Sequence, residues 1–509
     1  MKKIVYNSTR GNEKNVESSY AIVKGLANDG GLFVPNAIPK LQKSFEELKS
    51  MSYQEIACYV LGEFLTDFTE EEVSHCVYSA YDEKFDTKDI APIVKKDGYY
   101  YLELFHGSTI AFKDMALSIL PYLMTTAAKK QGITNEIAIL TATSGDTGKA
   151  ALAGFQDVAG TKIIVFYPKN GVSKIQERQM VTSEGNNTLV VGIDGNFDDA
   201  QNGVKAIFND QVFNQNLESL GVQLSSANSI NIGRLLPQVV YYVYSYSRLL
   251  NDRELDLGEP MNVVVPTGNF GNILAAYYAK EMGVPIKKLI CASNDNKVLY
   301  DFFATGNYDR RREFLLTISP SMDILISSNL ERLLYAVADE DAATVQQLMD
   351  NLLGEGHYTI TEDMKANLSD FFPAFATQTM TMQAIKEEFE ATNYMLDPHT
   401  AVAKAAYDTY IDATKDTTKT LIVSTASPYK FTKSTLSALD QRYEKMDDFD
   451  LLHELYAISN VEIPKAVKDI DKRPILHTTI CKKEAMAETV LNFMQKNRKI
   501  KMLEETRCQ

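Results

Sequence analysis

The sequence predicts an α/β protein with two parallel-sheet α/β domains and a mainly helical N-terminal domain. From residue 99 to about 295, short apolar runs alternate with helical stretches. This alternation favours parallel sheets that are covered by helices on both faces. Residues 1 to about 96 instead place apolar residues at helical spacing between short loops. At 509 residues the chain is long enough to bury the core of several such domains.

The composition is that of a globular protein and limits its partners. Charged residues make up 23% of the chain and the hydrophobic set 45%, which excludes disorder, collagen and coiled coil as the main architecture. The net charge of −15 argues against nucleic acid or an anionic membrane as a partner. The apolar stretches are too short or too polar to span a bilayer, and the N-terminus has no signal-peptide core. We therefore expect a cytoplasmic protein with no membrane partner.

Neither the cysteines nor the histidines are spaced as ligands. The five cysteines include no Cys-x-x-Cys pair, and the six histidines show no ligand spacing. We therefore predict no metal site and no disulfide framework.

The elements follow one another in a simple order. The N-terminal part is predicted to be helical, with a turn at residues 28–31 and a break near residues 89–98. Residues 340–395 are helical and charged, which indicates a peripheral insertion, and beyond residue 436 the chain is again mostly helical. Strands are predicted at residues 137–140, 163–166, 188–193, 263–265, 289–292 and 421–423.

Two glycine-rich turns each follow a predicted strand and precede a predicted helix. They are SGDTG at residues 144–148 and GNFGN at residues 268–272. In such a turn, successive backbone N–H groups at a helix N-terminus form a site for an anion. The second turn has no lysine and no Gly-Lys-Ser/Thr, so it is not a nucleotide P-loop. A single turn of this kind is most often structural, but two at the ends of sheet strands favour a ligand site.

Lys113 lies among apolar and small residues, where a predicted helix begins. Burial would lower the pKa of its amine, and the free amine could then form a Schiff base with an aldehyde. The alternative is a surface lysine that lays its stem along the helix. Together with a phosphate cradle that lacks a cation, this lysine indicates pyridoxal phosphate as the cofactor.

A series of distinctive segments follows along roughly residues 6–435. They are YNSTRG with GLANDGGLFVP, ELFHGSTIAFKD, ATSGDTG, NSINIGRLLPQ, VPTGNFGN, SPSMDILISSNLERLL, LDPHTAV and STASPYKF. In sequence and in order these segments resemble the threonine synthases of the longer type, which are pyridoxal phosphate enzymes of fold type II, with a fold similar to the tryptophan synthase β-subunit.

This resemblance implies a division of the chain into three domains. Residues 1–98 would form the N-terminal, mainly helical domain. Residues 99–136 and 240–509 would form the large cofactor-binding α/β domain, which includes the insertion at about 340–395. Residues 137–239 would form the small α/β domain that carries the SGDTG loop.

The resemblance also implies roles for individual residues. Lys113 would be the catalytic residue and would bond the cofactor aldehyde, and Thr425 would place its hydroxyl against the pyridine nitrogen. The cofactor phosphate would be held by Gly268, Asn269, Phe270, Gly271 and Asn272, where the family pattern has Asp in place of Asn272. The substrate would be bound by Ser144, Gly145, Asp146, Thr147 and Arg234.

The role of Arg234 has alternatives. Its guanidinium suits bidentate contact with the substrate's phosphate, but it could equally form an interdomain salt bridge. Lys149 and Lys430 lie in matching motifs and are the next candidates for the phosphate.

The activity that the resemblance implies is that of a lyase. It would convert O-phospho-L-homoserine and water to L-threonine and phosphate, by γ-elimination and then β-addition of water, as a monomer or homodimer. One alternative is another lyase of the same fold type, such as a threonine dehydratase or an O-phosphohomoserine phospho-lyase. A second is a cofactor-binding protein without enzymatic activity.

Overall fold

Strands and helices alternate along the chain much as the sequence indicates. The computed structural model describes residues 3–143, 145–169 and 171–496. Its strands are β1 (Tyr6–Ser8), β2 (Phe33–Pro35), β3 (Ile93–Lys96), β4 (Tyr99–Glu103), β5 (Glu136–Ala142), β6 (Thr161–Pro168), β7 (Thr188–Ile193), β8 (Val222–Ser225), β9 (Met261–Pro266), β10 (Ile286–Ser293), β11 (Asn307–Asp309), β12 (His357–Thr359), β13 (Phe371–Phe375), β14 (Thr420–Ser424) and β15 (Thr479–Cys481).

The α-helices occupy about half of the remaining described chain. They are α1 (Ser18–Lys24), α2 (Phe45–Leu48), α3 (Tyr53–Phe64), α4 (Glu70–Ala80), α5 (Lys113–Leu117), α6 (Leu120–Lys130), α7 (Asp146–Phe155), α8 (Lys174–Val181), α9 (Phe197–Asn209), α10 (Gln211–Ser219), α11 (Ile232–Asn251), α12 (Gly271–Met282), α13 (Val298–Thr305), α14 (Leu330–Val337), α15 (Ala342–Gly354), α16 (Glu362–Ala366), α17 (Gln378–Thr392), α18 (Pro398–Thr414), α19 (Thr432–Leu439) and α20 (Asp448–Ser459). Short 3₁₀ turns lie at Pro320–Met322, Pro428–Lys430, Gln441–Lys445, Ile470–Lys472 and Lys483–Ala485.

Two sheets form the framework. The larger has the strand order β13-β10-β9-β14-β4-β3 and is parallel except for the antiparallel pair β3–β4. The smaller has the order β15-β7-β6-β5-β8 and is parallel throughout. Every residue of β9 and β14 is buried, as expected for central strands of a sheet covered on both faces. The predicted α/β class with parallel sheets is confirmed.

The N-terminal region is mainly helical, as predicted. Helices α2, α3 and α4 each begin with a capping box, in which Ser44, Ser52 and Thr69 pair with a glutamate three residues later. Each box satisfies two helix-end N–H groups and so defines where its helix begins. The apolar faces of these helices join the same core as α11 and the larger sheet.

Several strands lie outside the pattern that the sequence indicates, and three of them bear on the expected domain boundaries. β3 pairs with β4 across the expected boundary at residue 98. β13 lies within the expected helical insertion and forms an edge of the larger sheet. β15 lies in the segment 240–509 that was expected to belong to the large domain, yet it pairs with β7 of the smaller sheet. All three strands are short. β3 pairs with the next strand along the chain, whereas partners far away in sequence decide the place of β13 and β15.

The structure contains no helix, within its described residues, that has both the length and the apolar character needed to cross a membrane.

Candidate active site

Three neighbouring strands of the larger sheet end at one place. β9, β14 and β4 are adjacent and parallel, so their carboxyl ends meet at the same edge of the sheet. β9 leads into the Gly268–Asn272 loop, β14 leads into Thr425, and β4 leads towards Lys113. An isolated bridge joins Ala111 to Ala426, and the N–H of Phe112 donates to the carbonyl of Thr425 at 2.7 Å. This link brings Lys113 and Thr425 together.

A cleft with about 120 Å³ of free volume lies at this edge. Most of the residues predicted for the site line it, including Thr147 from the smaller sheet's side. A larger cleft of about 430 Å³ lies between α8 and residues 475–480, but none of the predicted site residues lines it. The smaller cleft is lined by Phe112, Lys113, Thr147, Asn228, Ser229, Arg234, Gln238, Pro266, Thr267, Gly268, Asn269, Phe270, Gly271, Asn272, Ser321, Met322, His399 and Thr425.

The loop Gly268–Asn272 is built as an anion cradle. No acceptor within the described chain takes the backbone N–H groups of these five residues, which precede and begin α12. Phe270 adopts a left-handed conformation at φ 66°, and its buried ring packs on Phe303 and Phe371. A Cβ at Gly268 would lie 2.3 Å from the carbonyl oxygen of Ser321, so only glycine fits there. Unpaired N–H groups at a helix N-terminus suit a phosphate.

Asn272 adds a side-chain donor to this cradle. Its Oδ1 accepts hydrogen bonds from the hydroxyls of Tyr241, at 2.7 Å, and Tyr242, at 2.5 Å. With Oδ1 so placed, its buried Nδ2 finds no partner in the described part of the chain. No local pattern in the sequence links these two tyrosines to the loop.

Lys113 is buried rather than exposed on the helix surface. Its side chain is 12% exposed, and burial lowers the pKa of its amine. Nζ donates to Ser321 Oγ at 3.0 Å and lies 3.6 Å from Asp146 Oδ2. The structure therefore sets aside the alternative of a surface lysine.

Asp146 begins α7 and is held both by Gln176 of α8, next to the smaller sheet, and by Lys430 and Ser321 from the larger sheet's side of the cleft. Its carboxylate lies 3.3 Å from Lys430 Nζ and accepts from Gln176 Nε2 at 3.0 Å and from Ser321 Oγ at 3.2 Å. Burial alone would raise the pKa of Asp146, but the charges of Lys430 and Lys113 outweigh it and hold the pKa well below its usual range. The carboxylate is thus ionised and fully engaged.

The other residues of the SGDTG turn differ in whether they are available to a ligand. Ser144 lies outside the described residues. The N–H of Gly145 is already used by Thr143 Oγ1 at 2.9 Å, whereas Thr147 lines the cleft. The expected substrate role therefore rests on Thr147 more than on Gly145.

Thr425 follows β14 and lines the cleft from the sheet edge. It is 4% exposed, and its hydroxyl makes no hydrogen bond to the described residues. The hydroxyl is therefore available to a ligand.

Arg234 carries a buried charge without an acidic partner. It is 5% exposed, Nη1 donates to the carbonyl of Ala227 at 2.9 Å, and Nε has no partner in the described chain. Burial lowers its pKa to about 10. No carboxylate of the described residues lies within salt-bridge distance of it, which removes the alternative of an interdomain salt bridge. A buried, unpaired guanidinium at a cleft suits an anion.

The other two candidate cations are occupied elsewhere. Lys430 donates to the carbonyl of Thr109 at 2.9 Å in addition to its contact with Asp146. Lys149 donates to Ser183 Oγ at 2.9 Å, and burial lowers its pKa to about 8. Neither lines the cleft.

His106 holds the segment that precedes Lys113. Its ring nitrogens lie 2.6 Å from Asp86 Oδ1 and 2.9 Å from Glu103 Oε2. Burial alone would lower the pKa of His106, but hydrogen bonds and charge from the two carboxylates raise it to about 9. The imidazole is therefore charged at neutral pH and links β4 to the preceding loop.

Sequence reasoning assigned no role to Ser321, His399 or Asp397. The N–H of Ser321 donates to His399 Nε2 at 3.2 Å, and His399 Nδ1 lies 2.8 Å from Asp397 Oδ1. The segments SPSMDIL and LDPHTAV, which carry these residues, were the available signal, but residue type and spacing did not show that they meet. No cluster of three or more possible metal ligands occurs within the residues that the structure describes.

Comparison with known proteins finds relatives over almost the whole chain. Residues 5–81 match the family model "Threonine synthase N terminus", and residues 87–353 match "Pyridoxal-phosphate dependent enzyme". The chain is 42% identical to threonine synthase-like 1 of Homo sapiens over 83% of its own length, but it spans only 58% of that protein. It is 35% identical to threonine synthase of Saccharomyces cerevisiae, with 92% of this chain and 96% of the yeast protein covered. The crystal structure of threonine synthase with bound pyridoxal phosphate from Brucella melitensis superposes with a TM-score of 0.86 at 34% identity and covers 97% of this chain and 100% of that one.

Proposed function

The chain belongs to the threonine synthase family of pyridoxal-phosphate-dependent enzymes, and on that premise we propose that it converts O-phospho-L-homoserine and water to L-threonine and phosphate. The observation that carries the proposal is the meeting of Lys113, the Gly268–Asn272 loop, Thr425 and Arg234 in one cleft.

The cleft fits pyridoxal phosphate. The five unpaired N–H groups of residues 268–272 and the Nδ2 of Asn272 offer donors for its phosphate. An aspartate at 272, as in the family pattern, would place a negative charge near that phosphate, and Asn272 avoids it. When bound, the cofactor supplies an aldehyde that condenses with an amine and a ring that withdraws electrons from the neighbouring carbons.

Thr425 would face the ring nitrogen. Because its hydroxyl is neutral, it does not enforce protonation of the ring as a carboxylate would. Electron withdrawal is then weaker, which favours elimination and replacement at the side chain of the substrate.

The substrate presents two anions, which need separate partners. Its phosphate is assigned to Arg234, because a buried charge without a partner gains most from a dianion. Asn228 and Ser229 line the cleft with Arg234 and offer further polar contacts. The substrate's carboxylate is assigned to the N-terminus of α7 beside Thr147. Asp146 would repel an anion, so its role is to engage Lys113 and Lys430 rather than the substrate.

Lys113 is the group that moves protons. Its amine accepts the proton of the substrate's α-carbon and, by family resemblance, then moves a proton away from the β-carbon. Serving both carbons requires that Nζ stay within hydrogen-bond reach of each. The phosphate leaves the γ-carbon with its bonding electron pair, and the γ-carbon then takes up a proton to become a methyl group. Water adds its hydroxyl at the β-carbon, and the α-carbon regains a proton from the Lys113 ammonium.

The test is incubation of the holoenzyme with O-phospho-L-homoserine and measurement of threonine and phosphate, with Lys113→Ala as the inactive control. Equal amounts of threonine and phosphate support the proposal. Phosphate with a keto acid in place of threonine identifies a phospho-lyase, and formation of a keto acid from added threonine identifies a dehydratase. No turnover of either compound contradicts an enzymatic role on these substrates.

A further inference from the structure

Ser321 lies between a lysine and a carboxylate in the cleft. Its Oγ accepts from Lys113 Nζ at 3.0 Å and donates to Asp146 Oδ2 at 3.2 Å. Nζ and Oδ2 themselves are 3.6 Å apart. A direct, charge-assisted bond between such groups is about 2.7–2.9 Å long. The Ser321 hydroxyl thus bridges the amine of Lys113 and the carboxylate of Asp146, which do not form a short, direct ion pair.

The position of Ser321 is set from two sides. Its N–H donates to His399 Nε2, so the proton of a neutral ring lies on Nδ1 and is donated to Asp397. Asp397 also accepts the N–H groups that begin α18, which anchors the ring to that helix. From the other side, the Cα of Gly268 lies directly against the carbonyl of Ser321. Neither His399 nitrogen is left for proton transfer in the cleft, which makes His399 a support.

We propose that Ser321 is a positioning residue whose hydroxyl keeps Lys113 and Asp146 from closing into a direct ion pair. The turn that carries the hydroxyl is in turn held by His399 and Asp397. The inference rests on the proposed function, in which the amine of Lys113 is the base. A lysine held in a short ion pair stays an ammonium and cannot accept a proton.

The charges around Lys113 make this spacing matter. Burial lowers its pKa, Asp146 on α7 raises it, and Lys430 in the 3₁₀ turn and Arg234 on α11 lower it. His399 on α18 reaches the cleft from the remaining side. Shortening the pair from 3.6 Å to about 2.8 Å, at an effective dielectric constant of about 20, corresponds to roughly one pKa unit. That is about a tenfold loss of free amine.

The experiment compares Ser321→Ala, Ser321→Thr and the matched control Ser319→Ala in the full chain. Ser319 lies in the same segment, and its hydroxyl contacts Asn294 and Thr317 rather than Lys113. The pKa of Lys113 is measured after removal of the cofactor, from the pH dependence of its acetylation by acetic anhydride, read by mass spectrometry. The pH profile of kcat is measured on the holoenzyme.

In Ser321→Ala we expect the pKa of Lys113 to rise by about one unit and the rising limb of the kcat profile to move to higher pH by the same amount. Ser321→Thr keeps a hydroxyl and should restore the parent value, and Ser319→Ala should match the parent. His399→Ala keeps the hydroxyl but loosens its support, and should raise the pKa by less.

An unchanged or lower pKa of Lys113 in Ser321→Ala overturns the inference, whatever His399→Ala shows. The acetylation measurement needs no substrate, so it separates this inference from the proposed function. A raised pKa in a protein that makes no threonine would leave the inference standing and reject the function.

Discussion

Replacing Arg234 with methionine should separate binding of the substrate from stability of the fold. Methionine fills a similar length without charge or donors, so it removes the proposed contact with the substrate's phosphate. Truncating one partner of a desolvated charge pair costs about 2–4 kcal/mol, which lowers kcat/KM about 30- to 900-fold. Affinity for the cofactor should be unchanged, because the cofactor's phosphate is assigned to the amide cradle at 268–272.

The same substitution should lower kcat/KM but should not lower the stability of the free enzyme. Burial lowers the pKa of Arg234 from 12.5 to about 10, so the charged side chain destabilises the folded state by roughly 3 kcal/mol at neutral pH. Removing this charge releases that cost and loses one hydrogen bond, to Ala227, worth about 1 kcal/mol. We expect the melting temperature of Arg234→Met to equal or exceed that of the parent.

Arg332 is the matched control, because it is as deeply buried but fully bonded. Its guanidinium donates to the carbonyls of Phe33 and Ile230 and to Asn329. Burial lowers the pKa of Arg332 to about 10 as well, so removing its charge releases a similar cost. Arg332→Met would also leave three buried acceptors without this partner, at about 1–3 kcal/mol each, and should therefore lower the melting temperature.

The assays are thermal unfolding, cofactor titration by absorbance, and kcat/KM for O-phospho-L-homoserine. Loss of cofactor affinity in Arg234→Met, with kcat/KM per bound cofactor unchanged, would refute the assignment and make Arg234 a cofactor ligand. A large drop in melting temperature would show that Arg234 is structural.

Three further predictions concern the lysine, the phosphate loop and His106. Borohydride should fix the cofactor on Lys113, and Lys113→Ala should keep the fold but lose turnover; an adduct mapped to another lysine would contradict the site. Gly268→Ala should reduce cofactor affinity at least about tenfold, since its methyl would lie 2.3 Å from the carbonyl of Ser321; Gly62→Ala, whose methyl meets nothing within 4 Å, is the control. The pKa of His106 is raised to about 9, so this residue should contribute up to about 3 kcal/mol of stability, fully present below pH 6.5 and lost as pH rises through 9. Urea unfolding of the parent and of His106→Gln at several pH values measures this contribution. A difference in unfolding free energy that stays constant with pH would contradict the prediction.

The sequence predicted the central strands well because their patterns are local. β9 and β14 are apolar runs bounded by turn residues, and both are wholly buried in the sheet. β15 could not be found in this way, since a strand of three residues, two exposed and one partly buried, has no distinctive pattern. Its place depends on backbone pairing with β7, almost 300 residues earlier in the chain.

The residues of the candidate site also differ in whether local sequence was enough to predict them. The sequence alone indicated Lys113 and the Gly268–Asn272 loop. A lysine among apolar residues and a glycine turn before a helix can both be recognised from neighbouring residues. The unpaired state of Arg234 could not be read from its motif. It depends on which carboxylates the fold brings near, and none of the described residues supplies one.

By itself, therefore, the sequence determined the central strands, the anion loop and the reactive lysine, since each of these depends on residue type and short-range spacing. Only the tertiary structure decided that Ser321 stands between Lys113 and Asp146 and that His399 holds it there. Lys113 and Ser321 are 208 positions apart, and Ser321 and His399 are 78 apart. Contacts over such separations depend on how the parallel strand ends and the helices are packed together, and no local pattern encodes a distance of 3 Å between two side chains.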